Sequence, residues 1–170
     1  MIYKEIQKFK QPWIWFGLII SGQLIMGFFG LGFYKQIIQG QRFGNNPMSD
    51  SGLIISFILI LLLFILITLF FGLAKLTTVI DKNGIKYRFF PFHLKFQSIN
   101  WDKIERFTVV TYHPIGDYGG WGIRYSKNGK AYNVAGDKGL HIQLKTGKTL
   151  LIGTQKDIEL DNFLSKLKQV

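Results

Sequence analysis

Two stretches of the chain, residues 13–33 and 53–73, are apolar almost without interruption and contain no charged side chain. As helices rising about 1.5 Å per residue, each reaches roughly 30 Å, the thickness of a bilayer's hydrocarbon core. The pattern predicts a transmembrane helical hairpin over residues 1–75, with spans at about 13–33 and 53–73. The first run opens with Pro12-Trp13-Ile14-Trp15 and closes with Tyr34-Lys35, and Lys75 follows the second. Trp13, Trp15, Tyr34, Lys35 and Lys75 are therefore expected as anchors at the headgroup level. Lys4, Lys8 and Lys10 would also suit the n-region of a signal peptide, but the run is too long and no small-x-small cleavage site follows it. Gly17, Gly22, Gly27, Gly30 and Gly32 thin the first span, and Gly17-x-x-x-Ser21 forms a small-residue pair. Such faces allow close backbone approach, here to the second span more readily than to another copy in a homo-oligomer.

Beyond residue 75 the pattern changes to short segments of period two. Ile85, Tyr87 and Phe89 alternate with Lys86 and Arg88, which predicts a strand with one buried and one wet face. Asn83-Gly84 between Thr77-Thr78-Val79-Ile80 and this segment is a hairpin signal, because both positions tolerate positive φ. Further strands are expected at 94–97, 104–112, 121–126, 131–134, 140–145 and 149–152, the last two joined by a turn at Thr146-Gly147. No helical period competes before Gly153. After it, Thr154 stands as a cap, and Leu160, Phe163, Leu164 and Leu167 fall at i, i+3, i+4 and i+7 of one helix. Asp157, Glu159 and Asp161 in its first turns and Lys166 and Lys168 in its last agree with the helix dipole.

Charge adds a direction. Residues 1–74 hold five basic and two acidic side chains, and the remainder holds sixteen and eight, leaving the tail at about +8. A basic face tethered to a bilayer meets anionic headgroups first; nucleic acid is a weaker candidate and is not expected as a partner. Lys4, Lys8 and Lys10 before the spans, and Lys75, Lys82, Lys86 and Arg88 after them, outnumber Lys35 and Arg42 in the loop between. The positive-inside rule then puts the protein in the cell membrane with both termini in the cytoplasm and the loop at 36–51 outside. The chain of 170 residues leaves room for one modest domain besides the hairpin, at 76–170.

Candidate chemistry is sparse. The absence of cysteine excludes disulfides, thiol nucleophiles and cysteine-based metal sites. His93, His113 and His141 fall in different segments without metal-ligand spacing, so no metal or cofactor is expected. The acidic cluster at 157–161 fits helix capping better than paired-carboxylate catalysis. Gly116-Asp117-Tyr118-Gly119-Gly120-Trp121-Gly122 sits between strands and lacks the following helix of a phosphate-binding loop. This segment is either a long hairpin or a contact loop with Tyr118 and Trp121 at the interface and Arg124 near phosphate. With Lys82, Lys86 and Arg88 these form the candidate headgroup contacts. Gln23, the only strongly polar group in the spans, suggests an alternative role as a small transport or channel-associated subunit.

Asn100-Trp101-Asp102-Lys103-Ile104, and then Gly139-Leu140-His141-Ile142-Gln143-Leu144 leading through Thr146-Gly147-Lys148 to Leu151-Ile152-Gly153-Thr154-Gln155 and a final helix, resemble bacterial pleckstrin-homology-like (PH-like) domains over residues 76–168. Many such proteins carry the domain behind a pair of transmembrane helices. The resemblance implies a bent antiparallel sheet of about seven strands capped by a C-terminal α-helix, and no enzymatic activity. The first hairpin offers no matching signature of the eukaryotic phosphoinositide site beyond Lys82, Lys86 and Arg88. The expectation is a non-enzymatic membrane protein whose cytoplasmic domain binds a protein or peptide partner, or anionic lipid headgroups.

Overall fold

A strand stands where the sequence pattern shows none: β1 (Tyr3–Lys8) precedes the first apolar run. Its alternation is inverted, with Tyr3, Glu5 and Gln7 buried while Ile6 faces outward. The computed structural model describes residues 1–167, and Lys168 of the expected basic helix end lies outside them. The chain forms two units, one of Met1–Phe9 with the chain from Leu73 onward, the other Lys10–Gly72. The boundary drawn from sequence, 1–75 against 76–170, thus shifts: residues 1–9 belong to the β-rich unit.

The helical unit holds α1 (Pro12–Phe33), extended by a π-helical turn at Tyr34–Ile38, and α2 (Asp50–Leu73). Pro12 sits in the first turn of α1, where its missing N–H costs nothing. Phe29 and Phe33 pack on Phe57 with ring centroids 5.2 and 5.3 Å apart. A Cβ at Gly22 would press on the Phe64 ring, and one at Gly32 on Phe43. Close approach therefore uses Gly22 and Gly32, whereas Gly17 faces open space and the Ser21 hydroxyl donates back to the Gly17 carbonyl at 2.8 Å.

The other unit contains β2 (Lys75–Asp81), β3 (Gly84–Phe90), β4 (Gln97–Asn100), β5 (Ile104–Thr111), β6 (Gly122–Ser126), β7 (Gly129–Asn133), β8 (Lys138–Leu144) and β9 (Thr149–Thr154), then the helix Asp157–Leu167. A one-turn helix, α3 (Pro114–Tyr118), occupies the glycine-rich segment read from sequence as lying between strands, and the C-terminal helix is α4. A single turn is too short to display a helical period; Pro114 starts it and left-handed Gly119 ends it. The strands form one sheet ordered β1-β2-β3-β4 and another ordered β5-β8-β9-β7-β6. Among the described residues nine strands thus replace the expected seven or so, and β7 pairs with β9 in parallel. That exception is forced, because β9 enters between two strands, β7 and β8, that run opposite to one another.

The β2–β3 turn is centred on Lys82 and Asn83, one residue earlier than the Asn83-Gly84 expectation. The Asp81 carboxylate accepts the Asn83 N–H at 2.8 Å and fixes the turn locally. Gly84 alone then carries positive φ, and a Cβ there would collide with the Ile99 carbonyl. The alternation read from sequence otherwise holds: Leu76, Ile80, Ile85, Phe89, Leu140, Ile142 and Leu160 are essentially inaccessible, and Lys86 and Arg88 on the other face of β3 are half-buried.

Polar groups fasten β1 to the far end of the chain. Glu5, 5% exposed, accepts hydrogen bonds from the Tyr3 hydroxyl (2.8 Å), the Thr154 hydroxyl (2.7 Å) and the Gln155 N–H (2.8 Å). Gln7 Nε2 donates to the Gly153 carbonyl at 2.6 Å, and the Tyr3 ring lies 5.7 Å from Phe163 of α4. Three donors converging on one acceptor-only carboxylate form a satisfied buried network. Glu5→Ala leaves them without it and is expected to lower stability by about 3 kcal/mol, whereas Ile6→Ala, on the outer face, changes it little. Urea unfolding of the full chain in detergent, followed by tryptophan fluorescence, measures both.

Candidate functional site

The second sheet ends on β5, which pairs only with β8 among the described residues, so its other edge offers unpaired main-chain groups. Alongside it runs α4, and between them lies a groove of about 320 Å³. Val109, Val110 and Thr111 form one wall, Asp157, Ile158, Asp161 and Asn162 the other, and Lys138 borders the floor. Val110 is anchored from behind by the core cluster of Tyr112, Tyr118, Ala131 and Leu151. Leu160 and Leu164 bury the opposite side of α4, which leaves Ile158 74% exposed. The groove thus combines three aliphatic side chains, a strand edge, two carboxylates and the Lys138 ammonium. These are the ingredients for adding an extended peptide as a further strand, with a basic side chain near Asp157 or Asp161.

The residues singled out from sequence do not converge. Lys86 pairs with Asp81 at 2.9 Å, and that contact, with the Asn83 N–H, holds the Asp81 carboxyl below the usual carboxylate range. Lys82 sits on the same turn and borders an apolar hollow lined by Met1, Trp101 and Leu167. Arg88 lies near the other end of β3 with its guanidinium 4.7 Å from the Phe96 ring centre. Tyr118 is buried edge-on against Tyr112 at 5.8 Å. Trp121 donates its indole N–H to the Gly136 carbonyl at 3.0 Å, and Arg124 Nε donates to the Trp121 carbonyl at 2.9 Å. The glycine-rich segment is thereby tied to its own sheet. Asn133 Nδ2 donates to the Tyr112 hydroxyl, and burial pushes that phenol up to about 12, so it stays neutral at physiological pH. In the helical unit Trp13 is exposed and Trp15 half-buried in the first turn of α1, Tyr34 and Lys35 are exposed in the π-helical turn, and Gln23 borders a groove otherwise lined by apolar side chains and Thr68.

Ile158 is the site residue that sequence reasoning passed over. It is the one large apolar side chain of α4 off the buried stripe, and that misfit was a visible signal. The free edge of β5 had none, because strand order does not follow from strand location.

A second cluster joins the two sheets. Tyr87, His93 and Tyr132 pack within 6.1 Å of one another by ring centroid, and the Lys130 ammonium lies 4.7 Å from the Tyr125 and Tyr132 rings. Its titratable groups are stacked rather than presented to a cavity, so it cements the sheets. Comparison with protein-family models, with curated proteins and with solved structures finds no match for this chain.

Burial, and then the charge of Lys130, disfavour the His93 imidazolium and hold its pKa below the usual 6.5. A folded-state value below the unfolded one means that the folded protein binds fewer protons as pH falls from about 6.5 toward that value. The His93 contribution is complete above that window and is lost through it. An NMR titration of the histidine ring should give His93 a midpoint under 6.5, and Lys130→Gln should raise it.

Proposed function

We propose that this chain is a non-enzymatic integral membrane protein that holds a PH-like domain at the cytoplasmic face, where the groove between β5 and α4 captures an extended peptide segment of a protein partner. The observation that carries the membrane part is the combination of apolar composition with exposure. In the most apolar stretches of the two long helices only 11% and 6% of residues are buried. A core helix of a water-soluble protein would turn such a surface inward. Register adds support: Lys8 and Lys75 are partners across β1 and β2, so the chain leaves the sheet and returns to it at one place. Two crossings satisfy that closure, and one does not.

Strand count and order support the PH-like reading. With the β6–β7 hairpin set apart, seven strands remain and a helix follows the last. The spans then form an insertion between the first two strands rather than a leader in front of the domain. Peptide capture is favoured over a single cationic headgroup site because Lys86 is ion-paired, Arg124 is tied to Trp121 and stands on the other sheet, and the groove is rimmed by carboxylates.

Two measurements test this reading. The protein should remain in the membrane pellet after alkaline carbonate extraction. Photocrosslinkers at Val109 and Ile158 should yield a discrete protein adduct in cells that is weakened by Asp161→Lys and absent with a crosslinker at Lys148. Release by carbonate removes the membrane assignment; adducts that are equal at all three positions remove the groove.

A further inference from the structure

The β3–β4 connection, Pro91-Phe92-His93-Leu94-Lys95-Phe96, presents large apolar side chains to the outside. Phe92 is 62%, Leu94 76% and Phe96 42% exposed, whereas Ile85 and Phe89 of the preceding strand are essentially inaccessible. The connection is held in shape from within. His93 turns inward against Tyr87 and Tyr132, and its N–H donates to the Phe89 carbonyl at 2.8 Å. The side chains that remain outside alternate with this anchor, so the display is built into the fold.

Its position and its surroundings identify what it meets. Phe90, the last residue of β3, is the register partner of Lys75, which in turn pairs with Lys8. The connection therefore emerges from the same end of the sheet as the two chain segments that run into α1 and come back from α2. A line of rings ties it to that point, with centroids 6.4 Å apart between Phe9 and Phe89 and 6.2 Å between Phe89 and Phe92. Cations form a collar around the apolar tip. The Arg88 guanidinium lies over Phe96 at 4.7 Å, the Lys75 ammonium is 5.8 Å from the Phe90 ring centre, and Lys95 is exposed within the connection itself. Aromatic and aliphatic groups at a tip ringed by Lys and Arg match the two layers of an anionic bilayer surface, acyl boundary below and phosphate above.

We infer that the 91–96 connection is a third membrane contact, in which Phe92, Leu94 and Phe96 enter the interface of the bilayer that α1 and α2 span while Arg88, Lys95 and Lys75 face anionic headgroups. The inference rests on the two-span reading above.

The chain has no cysteine, so single replacements Leu94→Cys, Lys82→Cys and Leu62→Cys in the full-length protein accept one environment-sensitive fluorophore each. The three positions report the connection, the turn at the other end of β3, and the middle of α2. In vesicles of phosphatidylcholine with phosphatidylglycerol, the label at 94 should shift to the blue and lose intensity to a spin-labelled lipid with a shallow nitroxide. The label at 82 should stay accessible to aqueous iodide, and that at 62 should be quenched by a deep nitroxide. Blue shift and quenching at 94 should diminish in vesicles of phosphatidylcholine alone; equal values in both vesicle types would remove the role of the basic collar. If 62 is quenched by the deep nitroxide but 94 responds to iodide as 82 does, the connection stands in water and the inference is overturned, with the spans left intact. A label at 94 shielded from both iodide and nitroxide lies under protein, which overturns it too. Iodide access at 62 would remove the two-span reading, and this inference with it.

Discussion

The pairing of β1 with β2 is the constraint on which the rest of the molecule depends. Six residues at the start of the chain add to a sheet whose next strand begins only at Lys75, so the whole helical unit is a loop within one strand pair. Closing a loop of that length costs only a few kcal/mol more than closing a short turn, since the entropy grows with the logarithm of length. It must still be offset locally. The offset is polar: a buried carboxylate with three donors, a buried amide on the Gly153 carbonyl, and the rungs of the ladder.

That choice of interaction has a structural consequence. Glu5 reaches the backbone just ahead of α4, so the beginning of the chain, the last strand and the C-terminal helix meet at one locus. The Thr154 hydroxyl donates to Glu5 and accepts the Lys156 N–H, linking the carboxylate to the first turn of α4. The same helix supplies one wall of the β5 groove. The stability of the strand ahead of the spans and the shape of the groove between β5 and α4 are therefore coupled through Thr154 and α4.

Two surfaces of the β-rich unit are left with unfinished business in opposite senses. The β5 edge offers main-chain hydrogen bonding beside Ile158 and the two carboxylates of α4, which suits a polypeptide. The 91–96 connection offers apolar bulk collared by cations, which suits lipid. One unit carries both surfaces.

The chain's own pattern determined the elements with strong periodicity. Two charge-free runs of bilayer length are marked by composition and length alone, whereas the alternation at 85–89 and 140–144 and the stripe Leu160, Phe163, Leu164 and Leu167 repeat at the spacing of their secondary structure, and the structure places all of them as helices or strands. Only the tertiary structure decided what burial by a distant partner permits. β1 hides Glu5 and Gln7 because their partners at Gly153, Thr154 and Gln155 lie about 150 residues away, and a polar residue facing inward carries no hydrophobic signature. Strand order, the parallel β7–β9 pair, the free edge of β5 and the outward-facing Phe92, Leu94 and Phe96 likewise depend on which segments become neighbours. Periodicity encodes the face a residue shows, and only the folded chain decides what that face meets.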